Sequence, residues 1–267
     1  FGGGTLTGVS RTTGAVGLST TTASVPIVAG WTSSSTPATA NSITMTKPAN
    51  VEVGDLLLIL VGNDDNTGTA QWDGNTLKPA GFTFINEAGN GTSDAHTAAF
   101  YRIADGTESS ATSTPAQATT NYWGSYVRVT GASTTNPINV TGADYILGNP
   151  GGPPYNHVIT SVTTTATNTL AFYLMSSDGG DNYPFSVAGT GWSESAEVQN
   201  NALAAGASGS WGTRSMTTPG ATGAATVSMS ADDGAAGFQF AINPSPARGT
   251  LMSPEIDFDS VIGRSQW

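Results

Sequence analysis

Three carboxylates stand at alternate positions in Glu255-Ile256-Asp257-Phe258-Asp259. Residues two apart on a strand share a face, so an extended conformation would line all three up. Two carboxyls held about 5 Å apart can split a glycosidic bond with retention, one attacking the sugar and the other moving the proton. General-base chemistry would otherwise fall to the two histidines, His96 and His157. Neither is accompanied by a Gly-x-Ser-x-Gly elbow, so a Ser-His-Asp hydrolase would have no local support. His96 opens a strand pattern after Asp94, and His157 follows a Pro-Gly loop; both are expected to be solvated strand ends. Acidic turns offer hard oxygen ligands for calcium, Asp64, Asp65 and Asp73 in one and Asp178 and Asp181 in another. None has the spaced Asp-x-Asp-x-Asp-Gly pattern, and Asp and Asn are also what β-turns prefer. Calcium is the one cofactor these residues suggest. Trp31, Trp72, Trp123, Trp192, Trp211 and Trp267 could stack sugars if several were exposed and coplanar. In a chain poor in aliphatic residues they read instead as core anchors, and Trp123 and Trp192, set within strand patterns, are expected to be buried.

The carboxylate spacing is similar to the Glu-x-Asp-x-Glu signature of laminarinase-like glycosidases, which are β-sandwich enzymes. That resemblance implies Glu255 as nucleophile and the last carboxylate as acid/base. Here the last position is the shorter Asp259, Pro254 precedes the motif, and eight residues follow it, whereas such enzymes build their cleft from further strands. An exposed strand face or docking segment is the preferred reading, and no residue is assigned a catalytic role.

The elements that would position these groups are strands. Gly 34 and Pro 14 among 267 residues exceed ordinary usage by about half, and Gly, Thr and Ser interrupt every stretch that could carry a helical repeat. Short runs rich in Val, Ile, Thr and aromatics, bounded by Gly, Asp, Asn and Pro, predict strands near 25–30, 42–46, 55–62, 82–87, 96–103, 121–130, 157–164, 169–176, 192–199, 210–216, 224–230 and 236–242. This is the pattern of an all-β, two-sheet antiparallel β-sandwich, jelly-roll-like, with extended N- and C-terminal arms. The formal net charge of −11 is too dilute over this length to hold the chain open.

The same composition narrows the function. Eight Lys and Arg, scattered singly, form no basic stripe for phosphates, so no nucleic-acid partner is expected. The longest apolar run, Leu56-Leu57-Leu58-Ile59-Leu60-Val61, falls far short of a membrane span, and no membrane insertion is expected. Cysteine is absent, which removes disulfides, thiolate nucleophiles and Cys-based zinc sites together. This suits a virion or an extracellular, cell-surface location. No leader pattern follows Phe1, so any signal segment is expected to lie outside this chain.

An internal repetition runs through the middle of the chain. Gly54-Asp55-Leu56-Leu57-Leu58-Ile59-Leu60, an acidic turn, Gly81-Phe82 and a strand ending Phe100-Tyr101-Arg102-Ile103 are answered by Asn168-Thr169-Leu170-Ala171-Phe172-Tyr173-Leu174, an acidic turn, Gly191-Trp192 and a strand through Trp211. Uninterrupted apolar strands want cover on both faces, so 55–61 and 169–175 are expected at the centres of their sheets. The glycine before each aromatic permits a tight turn that drops Phe82 or Trp192 into the core. The halves read as two faces of one sandwich spanning 25–246, with the loop Gly148-Asn149-Pro150-Gly151-Gly152-Pro153-Pro154 as a hinge between them the alternative. Residues 1–24, nearly all Gly, Thr, Ser, Ala and Val, read as an arm, and 247–267 as a second arm or the start of a following β-module. Such arms either dock on a neighbouring subunit's sheet edge or fold back on their own sandwich.

Val51 to Pro244 resembles the large Gly/Thr-rich β-sandwich modules of tailed-bacteriophage structural proteins and bacterial surface proteins. The likeness is carried by Val53-Gly54-Asp55-Leu56-Leu57, Pro79-Ala80-Gly81-Phe82, Tyr101-Arg102-Ile103-Ala104-Asp105-Gly106, Asn136-Pro137-Ile138 and Phe238-Gln239-Phe240-Ala241-Ile242. It implies a non-catalytic tail, fibre or capsid-decorating subunit whose partners are copies of itself and other virion or surface structural proteins. A carbohydrate-binding or adhesion module taking glycans is the alternative.

Overall fold

The computed structural model describes residues 18–20, 23–64, 71–72, 77–89, 95–116, 120–143, 145–147, 152–179, 184–199, 206–231, 233–246 and 249–251. The first strand is β1 (Leu18–Thr20). The N-terminal half then contributes β2 (Ile27–Ala40), β3 (Ile43–Met45), β4 (Leu56–Asp64), β5 (Thr83–Ala88), β6 (Ala95–Ile103), β7 (Ala111–Ser113) and β8 (Thr120–Thr130). The C-terminal half contributes β9 (Ile138–Thr141), β10 (Tyr145–Leu147), β11 (Tyr155–Ile159), β12 (Thr163–Thr164), β13 (Thr169–Ser177), β14 (Ser186–Ala188), β15 (Ser193–Val198), β16 (Ser208–Met216), β17 (Gly220–Ala221), β18 (Ala225–Met229) and β19 (Ala235–Ile242), before β20 (Gly249–Leu251). The fold is the expected all-β, antiparallel sandwich.

Each large sheet comes from one half of the chain. The first runs β2-β8-β4-β6-β5, and the second runs β10-β19-β13-β16-β15, with β9 also on β19. Both uninterrupted apolar strands are central, as their composition requires: β4 lies between β8 and β6, and β13 between β19 and β16. Because side chains alternate along a strand, each sends one set inward and one outward. Leu56, Leu58 and Leu60 meet Leu170, Phe172 and Leu174 in the core shared by the two large sheets. Leu57, Ile59 and Val61 face outward and are covered by Ile43, Met45 and Ala111 of the small β3-β7 sheet. Ala171, Tyr173 and Met175 are covered by residues of β11 and β18, including Ile159 and Val227. The body is therefore four layers deep, and this second layer on each side lets a chain poor in aliphatic residues bury both faces of its apolar strands.

The two halves are structural repeats. Leu57 pairs with Arg102 on β6, and Ala171 pairs with Arg214 on β16. A bulge falls at the same place in each, between Phe84 and Asn86 on β5 and between Glu194 and Ala196 on β15. The Gly-aromatic turns match as well: Gly81 and Gly191 have φ of 80° and 81°, and the N–H groups of Phe82 and Trp192 donate to the carbonyls of Pro79 and Gly189 at 3.0 and 3.3 Å. Both aromatic rings are buried, as the glycine ahead of each predicts. Packing between the sheets is also reciprocal, with β4 on β13, β6 on β19 and β16 on β8, β5 on β9 and β15 on β2. That reciprocity is the contact pattern of an approximate two-fold axis between the halves.

Some elements differ from expectation. The first long strand is read at 25–30 but runs from Ile27 to Ala40, because its Ser- and Thr-rich second part belongs to a sheet edge, where polar side chains suffice. The stretch 157–164 divides into β11 and β12, which pair with different partners, β18 and β17. Residues 24–245 form one compact unit, and the described residues of the terminal segments form another, in which β1 and β20 pair antiparallel with Leu18 opposite Leu251.

Candidate functional site

A buried polar cluster gathers on Glu87 of β5. Its Oε1 accepts the backbone N–H of Gln71 at 2.5 Å, and Oε1 and Oε2 each lie 3.2 Å from the Trp72 N–H. Gln71 Oε1 in turn accepts from Asn63 Nδ2 at 3.3 Å, and Trp72 Nε1 donates to Ser113 Oγ at 2.9 Å. His96 Nδ1 lies 3.8 Å from Glu87 Oε1, with both side chains buried. Carboxylate and imidazole thus meet inside the protein. The carboxylate oxygens already serve amides of the 71–72 segment, so their demonstrable work is to tie that segment to the sheet.

A second polar chain lies on the outer face of the other half. Tyr173 Oη and Ser210 Oγ are 2.9 Å apart, and Ser210 Oγ donates to Glu194 Oε1 at 2.9 Å. With that donation fixed, the Tyr173 hydroxyl is the donor to Ser210. Burial and the nearby Glu194 and Glu197 push the Tyr173 phenol well up, with the Ser210 hydrogen bond opposing them. Burial also raises Glu194, assisted by repulsion from Glu197 and opposed by the same serine. The corresponding positions in the first half, by strand register, are Ile59, Ala98 and Phe84, all apolar. Where the first repeat carries apolar side chains, the second carries a hydrogen-bonded chain that ends on a carboxyl.

The residues singled out from sequence are dispersed. Both histidines are buried, correcting their expected place as solvated strand ends. His96 sits in β6, beside the central strand β4 and under the 71–72 segment, and His157 points inward from β11 opposite Val227. Asp64 is buried at the end of β4 and Asp178 is half-buried just beyond β13; Asp65, Asp73 and Asp181 lie outside the described residues. Among the described residues no three His, Asp or Glu side chains come together to hold a metal ion. Glu255, Asp257, Asp259 and Trp267 also lie outside the described residues. Trp72, Trp123, Trp192 and Trp211 are buried, as anticipated for Trp123 and Trp192. Trp31 is 45% exposed and meets Trp211 edge-on at 5.6 Å. The described tryptophans therefore form no coplanar exposed platform.

Glu87 and the Tyr173-Ser210-Glu194 chain were not singled out in sequence. One signal was available: Glu87 and Glu197 occupy the same repeat position on β5 and β15, and acidic residues at matching places in a half-buried strand need partners. Comparison with family models, with curated proteins and with solved structures finds no match.

Proposed function

We propose that the chain is a non-catalytic structural subunit of a virion (tail, fibre or capsid decoration) or of a surface filament, acting outside the cell as a building block that assembles with its own copies and with other structural proteins. The observation that carries this reading is where the buried charges are used. Glu87 holds the amides of Gln71 and Trp72, and Glu108 holds those of Asp105 and Gly106 at 2.5 and 3.1 Å. Arg128 Nε donates to Asp55 Oδ2 at 2.6 Å. Charged groups consumed in this way rigidify turns and strand ends, which suits a load-bearing part. The duplicated four-layer body supports the same reading, since repetition builds a large rigid scaffold from a modest core.

A glycan-binding role is the second reading, favoured by Trp31, exposed beside the uncharged Ser33-Ser34-Ser35 run. Light scattering and negative-stain microscopy of purified protein test the first reading: ordered particles or filaments are expected, and a monomer that enters no larger particle on its own or with neighbouring structural proteins overturns it. A glycan array separates the second, which requires binding that Trp31→Ala abolishes.

A further inference from the structure

The first large sheet ends in β2, which pairs along one side with β8. Among the described residues no strand pairs with its other side. Bulges between Val28 and Gly30 and between Thr36 and Ala40 interrupt β2, and between them the register to β8 is unbroken, Gly30 opposite Arg128 through Ser35 opposite Trp123. The outward N–H and C=O groups of this stretch form a template for another strand. Natural edges are normally blunted by charge, bulges or brevity, and the other large-sheet edges here follow that rule. β5 carries a bulge and Glu87, whose carboxylate holds the 71–72 segment there. β15 carries a bulge with Glu194 and Glu197. The edge beyond β19 is broken into β9 and β10, of four and three residues. Gly30-Trp31-Thr32-Ser33-Ser34-Ser35 has no charge at all, and Ile27 and Trp31 on the same strand are 63% and 45% exposed.

Resting on the structural-subunit reading, we infer that β2 is the self-association edge, with the Gly30–Ser35 stretch of one copy adding antiparallel to the same stretch of a second copy. The net charge of −11 sets copies against one another over most of their surface, and glutamate-bearing edges such as β15 would meet like with like. An uncharged strand is where two identical copies can approach without that repulsion. Antiparallel pairing of one strand with itself is an isologous, closed arrangement, so it yields a dimer and not a runaway ladder. It joins two five-stranded sheets into one and sets Trp31 beside the strand of the second copy. A single shared strand is a small interface, so the dimer is weak and forms in a concentration-dependent way.

Sedimentation velocity from low to high micromolar concentration, with hydrogen exchange read at both ends of the range, tests this. Expected are a concentration-dependent dimer and new protection at alternate amides within 30–35. Ser33→Glu and Ser33→Lys, at the middle of the stretch where each copy's residue meets its own equivalent, place like charges next to one another across the pair and are expected to weaken dimerisation by about tenfold or more. Val53→Glu, at an exposed site off this strand, leaves it unchanged. Thermal melts and far-UV circular dichroism establish that the variants fold. Assembly that persists in both Ser33 variants with no protection at 30–35 overturns the edge assignment while leaving the structural reading standing. A chain that stays monomeric at all concentrations and joins no larger particle overturns both.

Discussion

Trp123 on β8 joins the two large sheets, and the space it occupies is kept open by glycine. Its indole is fully buried, and Nε1 donates to Ser176 Oγ of the opposite sheet at 2.9 Å. A Cβ on Gly209 of β16 would fall 2.0 Å from Trp123 Cε2 and 2.2 Å from Cζ2; one on Gly62 would fall 2.3 Å from Nε1. Gly209→Ala therefore drives a carbon into a ring that has nowhere to go. Overpacking of this kind costs about 1–3 kcal/mol. Moving the indole also strands a buried N–H or the Ser176 hydroxyl, at about 1–3 kcal/mol more. A loss near 4 kcal/mol in a unit of this size lowers Tm by about 8–16 °C. Scanning calorimetry measures it, and the Trp123→Ala background isolates the cause, because removing the indole vacates the position that the new methyl needs. There the Gly209→Ala cost should shrink by about 2 kcal/mol or more. A Gly209→Ala protein within about 1 kcal/mol of the parent, or the same cost in both backgrounds, would refute the idea that this slot determines how the sheets pack.

Two further substitutions probe the polar clusters. Glu87→Ala removes the acceptor from the buried amides of Gln71 and Trp72 and should cost about 3 kcal/mol in urea denaturation, with amide exchange at 71–72 accelerating; Glu87→Gln, which keeps one acceptor oxygen, should lose less. For Glu194 the sign runs the other way. Burial disfavours its charged form and raises its pKa, so the carboxyl takes nothing from stability below its unfolded pKa and takes progressively more as pH rises through its folded value. Glu194→Gln keeps an oxygen for Ser210 and removes the charge, so it should be the more stable protein at pH 7, by less than about 1 kcal/mol because the group is half exposed and screened. At pH 3 the two urea midpoints should coincide; a variant weaker than the parent only at pH 7 contradicts this.

Much of the scaffold was legible because it is local. The apolar runs of β4 and β13 announced strands covered on both faces, and the glycines before Phe82 and Trp192 announced the turns that bury those rings. Short outer strands such as β7 and β14 left no such mark, since three residues carry too little pattern to stand out from a loop. His96 and His157 looked solvated because each adjoins a polar turn. The structure instead folds the 71–72 segment over the first and packs the second against β18, burying both.

What the order of residues determined by itself was the long central strands, the repetition of two halves and the positions where only glycine can turn, because these follow from alternation and backbone sterics over a few neighbours. Tertiary structure alone decided that a second layer of short strands covers the outer face of each large sheet, that Trp123 bonds Ser176 across the core, and that Tyr173, Ser210 and Glu194 form one chain. Those contacts join residues tens of positions apart, and no local pattern encodes a distance that depends on how two twisted sheets are laid against each other.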